Sequence, residues 1–147
     1  MKKYYYRVAK TLPFLGNVTV RQFIKFSMVG VSNTIIDFSL YLLLTRIFHI
    51  HFLIANALAF VIAVTWSYTA NKMWTFRDTS NRMTAQFTKF IIINLVGLGL
   101  AEGILSVLVI YFGLWDILSK FIAVLIVVFW NFWANRHWTF KDSQERL

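Results

Sequence analysis

Residues 90–112 read FIIINLVGLGLAEGILSVLVIYF, a run of 23 residues in which Glu102 is the single charged side chain. A helix needs about 20 mostly apolar residues to cross a hydrocarbon core about 30 Å thick, so this run predicts a membrane span. Three further runs share this character, at residues 26–45, 52–69 and 117–135. Because four such runs in 147 residues leave too little polar sequence to cover them in water, the sequence predicts an all-α integral membrane protein with four transmembrane helices.

Composition excludes several other classes of protein. Hydrophobic residues make up 59% of the chain and charged residues 14%, whereas soluble domains have about 45–50% and about 25%. The absence of cysteine rules out disulfides, thiolate metal sites and cysteine nucleophiles. His49 and His51 form an H-x-H without a third ligand, so no metal site is predicted. No nucleophile triad, P-loop or dinucleotide fingerprint occurs, which predicts no enzyme activity and no cofactor.

The basic residues predict how the chain is oriented. Of the 15 Lys and Arg residues, 13 fall in residues 1–25, 72–89 and 136–146, so both termini and the central connection are expected in the cytoplasm. The expected location is therefore the inner (cytoplasmic) membrane. A net charge of +9 is explained by topology and by contact with anionic membrane lipids, and no nucleic-acid partner is predicted. Residues 1–20 are expected to lie on the cytoplasmic surface, and residues 143–147 form a short tail.

The chain also contains an internal repeat. A shift of 64 positions aligns residues 21–78 with residues 85–142 without a gap, and sixteen positions match. Both copies close on the pattern W-x-x-x-AN-[KR]-x-WTF-[KR]-D. Since each copy has two spans, the copies enter the membrane in the same orientation, and the four-helix domain of residues 21–142 is predicted to consist of two parallel two-helix repeats.

Two acidic residues lie near the middle of predicted spans. They are Asp37 in the first and Glu102 in the third. An ionised carboxylate there costs at least about 2.5–3.5 kcal/mol, so each is expected to be either a functional group or a protonated group bonded to a neighbouring helix. Lys120, about one turn inside the fourth span, either extends to the interface, pairs with Asp116, or holds a phosphate.

Amide side chains add further polar groups to the spans. Asn71-Lys72 and Asn135-Arg136 place an amide before a cation at the ends of the second and fourth spans, where they could bind a phosphate or sugar hydroxyls. Asn131 is another amide in the fourth span, where the simpler role is to hold helices together. The small residues of Gly99-x-x-x-Gly103 are expected to pack against a helix.

Two segments resemble a known family. QFIKFSMVGVSNTIIDFSLYLLL (residues 22–44) and FWNFWANRHWTFKD (residues 129–142) are similar to the GtrA-like family, also called the GtrA/DPMS transmembrane domain. The resemblance implies movement of a polyprenyl-phosphate-linked monosaccharide, such as undecaprenyl-phosphate glucose, to the outer leaflet beside a polyprenyl-phosphate glycosyltransferase. It touches a set of motif positions: Asp37, Asn71, Lys120, Asn131, Asn135 and Arg136. Lys72 replaces the more usual Arg, and Ser67 stands where the second copy has Asn131.

The resemblance and the buried polar groups suggest one mechanism and leave two alternatives. A lipid-linked sugar would pass the Asn-cation pairs, then Asp37 and Glu102, then Lys120, by passive or proton-coupled movement. Four helices enclose little space, which predicts an open lateral groove or a homodimer. The alternatives are a non-transporting anchor for a glycosyltransferase and a small proton-coupled multidrug exporter.

Overall fold

The computed structural model describes residues 17–144. Among these residues are four helices long and apolar enough to cross a membrane, as predicted: Val18–Ile47, Phe52–Thr75, Met83–Ile110 and Asp116–Thr139. The first begins well before the apolar run, so it takes in positions assigned above to the interfacial segment. The rest of that segment, residues 1–16, and residues 145–147 of the predicted tail lie outside the described residues.

Three of the four spans end in a widened π-helical turn. The elements are α1 (Val18–Leu42) with π1 (Leu43–Ile47), α2 (Phe52–Ala70) with π2 (Asn71–Thr75), α3 (Met83–Ile110), α4 (Asp116–Ala134) with π3 (Asn135–Thr139), and α5 (Lys141–Gln144). Helices satisfy every internal backbone group within one segment, which hydrocarbon requires. Asn17 caps the start of α1, where its side-chain oxygen accepts a hydrogen bond from the Thr19 amide at 2.9 Å.

The chain divides into two compact units. Unit 1 ends at Arg77 and contains the hairpin of α1 and α2, while unit 2 begins at Asp78 and contains the hairpin of α3 and α4. Each hairpin carries one copy of the repeated closing motif. We name the ends formed by residues 71–76 in unit 1 and residues 135–140 in unit 2 the motif ends.

Small residues bring the helices of each hairpin together. Ala55, Ala59 and Ala63 follow one another at four-residue spacing on α2 and are at most 2% exposed. In unit 2, the fully buried Ser119 and Ala123 lie at the positions equivalent to Ala55 and Ala59. Small side chains let two helix backbones approach closely, which is the usual way helices associate in a membrane.

The Gly99-x-x-x-Gly103 motif does not make such a contact within the described chain. A Cβ atom added at either glycine would meet nothing within 4 Å in residues 17–144. The glycine that packs closely is Gly97, because an added Cβ there would lie 2.5 Å from the Oδ1 atom of Asn131. The predicted helix contact at Gly99 and Gly103 is therefore not formed by the described part of this chain.

Aromatic residues fill the core at each motif end. Phe76 is 2% exposed and its ring centroid lies 6.3 Å from that of Phe26 on α1. The equivalent Phe140 and Phe90 in unit 2 are also almost fully buried. Apolar side chains elsewhere on the four spans are largely exposed, as expected where lipid covers the helices. Equivalent burial at positions 64 residues apart favours the predicted duplication, while the membrane orientation stays a prediction.

Candidate functional site

The motif end of unit 1 is built around Asn71. Its Nδ2 atom donates to the Ser67 carbonyl at 2.9 Å, and the Phe76 amide donates to the Asn71 carbonyl at 2.9 Å across π2. The amide thus satisfies a backbone carbonyl where the α-helix widens into a π-turn. Its Oδ1 atom and the hydroxyl of Thr75 are both buried without a hydrogen-bond partner within the described residues. Unit 1 therefore holds two unused polar atoms in one turn.

Unit 2 repeats this turn with its hydrogen bonds completed. The Nδ2 atom of Asn135 donates to the Asn131 carbonyl at 2.8 Å, and the Thr139 hydroxyl donates to Asn135 Oδ1 at 2.9 Å. Asn135 is fully buried. Both Asn residues thus have a structural role at the end of their helix that the sequence pattern alone did not indicate. The two copies differ in that the side-chain oxygen of Asn71 still lacks a donor.

Each unit has a second amide side chain in its spans. It lies on the first helix of the hairpin in unit 1 and on the second helix in unit 2. In unit 2, Asn131 on α4 packs against Gly97 on α3. The unit 1 positions that align with them hold Ser67 on α2 and Asn33 on α1. The Oδ1 atoms of Asn33 and Asn131 are both buried without a partner in residues 17–144. Each hairpin therefore keeps one unsatisfied amide oxygen at this level, contributed by a different helix.

Asp37 extends the set of unused oxygens along α1. It lies one turn after Asn33, and its Oδ1 atom is also buried without a hydrogen-bond partner within the described chain. Residues four apart lie on the same helix face, so the two oxygens form a polar strip on α1. One alternative given above is a protonated carboxyl group bonded to a neighbouring helix. The Oδ1 atom of Asp37 makes no such bond within the described residues.

Glu102 and Lys120 differ from the other predicted site residues. Both side chains are exposed, on α3 and α4 respectively. Neither forms a hydrogen bond or ion pair with any residue from 17 to 144; in particular, Asp116 accepts instead from the Ile117 amide at 2.9 Å. The predicted pairing of Lys120 with Asp116 is therefore absent from the described contacts, and the structure does not bring Glu102 and Lys120 to the amide groups of unit 2.

The cations that follow the motif amides lie within the π-turns. Lys72 is buried, with 8% of its surface exposed, and Arg136 is half-buried. Each interacts with other groups of the chain. Burial of a charge is costly unless other groups of the protein compensate for it.

The lysine that joins the two ends of each hairpin is not among the residues predicted from the sequence to form the site. Lys25 Nζ donates to the Trp74 carbonyl at 3.2 Å and lies 5.1 Å from the centroid of the Trp74 ring. In unit 2, Lys89 makes the same pair of contacts with Trp138 at 3.5 and 5.6 Å. The repeated K-F opening and W-T-F closing contained this signal, since both recur at the same shift.

The unsatisfied atoms of each unit define what that unit can bind. Asn33, Asp37, Asn71 and Asn131 each present an oxygen that accepts hydrogen bonds, and Thr75 presents a hydroxyl. Such atoms suit a ligand that donates through hydroxyl groups, whereas a deprotonated phosphate has only acceptors and needs the cations. Among residues 17–144 there is no group of three His, Asp or Glu side chains able to hold a metal ion.

Fold and polar groups together define a multi-pass α-helical membrane protein with polar side chains inside its spans. Comparison with known proteins then gives the family: residues 25–140 match the model of the GtrA/DPMS transmembrane domain, and the chain belongs to that family.

Three curated relatives align with the chain. The membrane protein YngA of Bacillus subtilis is 33% identical over 137 residues, covering 88% of this chain and 89% of the relative. YwcD of the same organism is 24% identical over 121 residues, covering 80% and 95%. The bactoprenol-linked glucose translocase of Salmonella phage P22 is 34% identical over 64 residues, covering 44% of this chain and 53% of the relative. Bacterial relatives are consistent with the inner membrane.

Proposed function

We propose that this protein moves a polyprenyl-phosphate-linked monosaccharide, such as undecaprenyl-phosphate glucose, from the inner to the outer leaflet for modification of a cell-surface polysaccharide. Family membership and the name of the phage relative support transport of a lipid-linked sugar. The observation that carries the proposal is the set of buried oxygens without partners. On this proposal the protein is a transporter and not an enzyme.

A sugar headgroup needs such oxygens to enter hydrocarbon. Each hydroxyl that loses water without gaining a partner costs about 1–3 kcal/mol by protein mutational data. The oxygens of Asn33 and Asp37 on α1, of Asn71 in π2 and of Asn131 on α4 can each accept a hydrogen bond from a hydroxyl group. The prenyl chain needs no hydrogen-bond partners because it is apolar. The unsatisfied oxygens are thus costly for a simple scaffold and useful for a carrier of sugars.

Cations would carry the phosphate. Lys72 and Arg136 lie at the motif ends, which are predicted to be cytoplasmic, and Lys120 lies toward the opposite end of α4. An ammonium or guanidinium group makes charge-assisted hydrogen bonds to phosphate oxygens. Glu102 is the remaining mid-membrane carboxyl on the proposed path, where protonation would couple movement to a proton gradient. A glycosyltransferase that makes the lipid-linked sugar and a second copy of this chain are the partners proposed.

The experiment is a leaflet assay in proteoliposomes with a fluorescent polyprenyl-phosphate glucose. Asp37→Leu removes both acceptor oxygens and is expected to slow translocation about 2–10-fold, the equivalent of one hydrogen bond in the rate-limiting state. Asp37→Asn keeps one acceptor, so it should retain most of the activity if Asp37 binds hydroxyls. Loss of activity in Asp37→Asn equal to that in Asp37→Leu would instead indicate proton transfer by the carboxyl.

The control is Ser39→Ala, an exposed position two residues further along the same helix. It should leave the rate unchanged. Equal rates for Asp37→Leu, Asn135→Ala, Lys120→Ala and the wild type would remove the site assignment. No translocation by wild-type protein, with retention of a co-expressed glycosyltransferase at the membrane, would favour the anchor instead, and dye efflux from the same vesicles would favour a drug exporter.

A further inference from the structure

Unit 1 carries an open groove on the outside of its hairpin. The groove has a volume of about 440 Å³ and lies between α1 and α2, reaching into π2. Its main lining residues are Met28, Ser32, Trp66, Thr69, Met73 and Trp74. None of these belongs to the set of polar atoms proposed above to receive the sugar.

The two hydroxyl groups of the groove and the Trp66 ring nitrogen are already hydrogen-bonded. The Ser32 hydroxyl donates to the Val29 carbonyl at 2.8 Å and accepts from the Trp66 ring nitrogen at 3.2 Å. The Thr69 hydroxyl donates to the Thr65 carbonyl at 2.8 Å. The wall therefore presents hydrocarbon, sulfur and aromatic surface to whatever occupies it. Methionine side chains adapt to irregular apolar shapes, which suits a methyl-branched chain.

Positive charge lies at one end of the groove. Lys25 is one turn before Met28, and its ammonium group contacts Trp74 of the lining. One of its three N–H donors goes to the Trp74 carbonyl, which leaves two for an anion. Arg21 and Arg77 lie close enough to act electrostatically on this ammonium group. An apolar groove with a lysine ammonium group at one end matches a chain that ends at a phosphate.

Unit 2 lacks the same arrangement at equivalent positions. Trp133 and His137 replace Thr69 and Met73, and their rings stack with centroids 4.9 Å apart and planes 17° apart. Ala85 stands where unit 1 has Arg21. Lys89 nevertheless contacts Trp138 as Lys25 contacts Trp74. The tie between lysine and tryptophan is thus common to both units, whereas the groove chemistry belongs to unit 1.

We infer that the groove of unit 1 binds the chain of a single-chain prenyl phosphate, with Lys25 holding its phosphate at the groove end. This inference rests on the proposed function and gives it a docking site for the lipid part of the substrate. The two hairpins then have different tasks, because the chain is held in unit 1 alone.

Native mass spectrometry of the purified full-length protein in detergent tests this site. The probes are undecaprenyl phosphate, undecaprenol and phosphatidylglycerol. Undecaprenyl phosphate should bind about tenfold more tightly than undecaprenol, because the phosphate adds charge-assisted hydrogen bonds. Lys25→Gln should remove that difference while leaving undecaprenol binding unchanged. Thr69→Trp, which introduces the unit 2 residue, should weaken both prenyl probes about fivefold or more by filling the groove.

Lys89→Gln is the matched control, since it breaks the same lysine–tryptophan contact in unit 2. It should leave the binding of all three probes unchanged. Equal effects of Lys25→Gln and Lys89→Gln would show that the lysine is structural and would overturn the inference. Displacement of undecaprenyl phosphate by an equal concentration of phosphatidylglycerol would overturn it as well, because the groove would then be a general lipid contact.

These outcomes are separable from failure of the proposed function. If undecaprenyl phosphate binds in a way that depends on the groove and on Lys25, but no translocation occurs in proteoliposomes, the docking site is supported and the transport proposal is wrong. If the wild-type protein translocates the lipid and Lys25→Gln and Thr69→Trp bind undecaprenyl phosphate as the wild type does, the transport proposal is supported and the docking site is wrong.

Discussion

Gly97→Ala is expected to destabilise unit 2 by about 1 kcal/mol, the low end of the usual cost of overpacking, because the atoms that the new methyl group meets belong to the end of one side chain. The added Cβ would lie 2.5 Å from Asn131 Oδ1, whereas ordinary contact begins at 3.4 Å, so the overlap is 0.9 Å. The Nδ2 and Cγ atoms, at 3.1 and 3.2 Å, are also too close, so the whole carboxamide must move. The free energy of unfolding can be measured by titration with sodium dodecyl sulfate, followed by tryptophan fluorescence.

A second substitution separates this contact from a general effect on the helix. Gly97→Asn with Asn131→Ser recreates the pair of residue types found at positions 33 and 67 of unit 1, so the double variant should be more stable than Gly97→Asn alone. Gly99→Ala, where an added Cβ meets nothing within 4 Å, should be neutral or stabilising by up to about 1 kcal/mol. Similar stability of Gly97→Ala and Gly99→Ala would refute the packing argument.

Three further predictions follow from other contacts. Thr139→Val removes the hydrogen bond from the Thr139 hydroxyl to the Asn135 side-chain oxygen, so the free energy of unfolding should fall by about 0.5–1.5 kcal/mol. Thr75→Val should leave it nearly unchanged, because the Thr75 hydroxyl has no partner in the described residues. Equal losses would contradict the difference between the motif ends. Asp142→Asn removes an ion pair that is 3.9 Å long and solvent-exposed, so unfolding free energy should fall by less than about 1 kcal/mol, and a larger loss would show an unrecognised contact. Since the chain has no cysteine, Asn81→Cys and Phe112→Cys test topology directly: an impermeant maleimide added outside spheroplasts should label the second and not the first.

The four spans were predictable because apolar length and charge are properties of sequence alone. A long apolar run such as residues 90–112 predicts a span whatever the other helices of the fold are. Their ends were less predictable, because the π-turn at Asn71 arises from a widened backbone that no residue type specifies. The bond of that Asn to a carbonyl four residues earlier gives a structural reason for the Asn that recurs in both copies, which the sequence pattern left open.

Candidate site residues were predictable in type but not in surroundings. Asp37 stood out because a carboxyl in a span is rare, and the structure adds that one oxygen is buried without a partner in residues 17–144. Lys25 was missed because it counts as one of many basic residues before the first apolar run. Its distinction is a contact with Trp74, 49 positions away, and such a tertiary contact depends on how α1 and α2 pack.

The bond from Lys25 to Trp74 and the bond from Lys89 to Trp138 lie on opposite sides of the junction between Arg77 and Asp78. A chimaera that joins residues 1–77 of this chain to the second half of a relative therefore keeps the Lys25–Trp74 contact intact. The reciprocal chimaera keeps the Lys89–Trp138 contact. Exchange at this single position would show whether lipid binding follows the half of the chain that contains the groove.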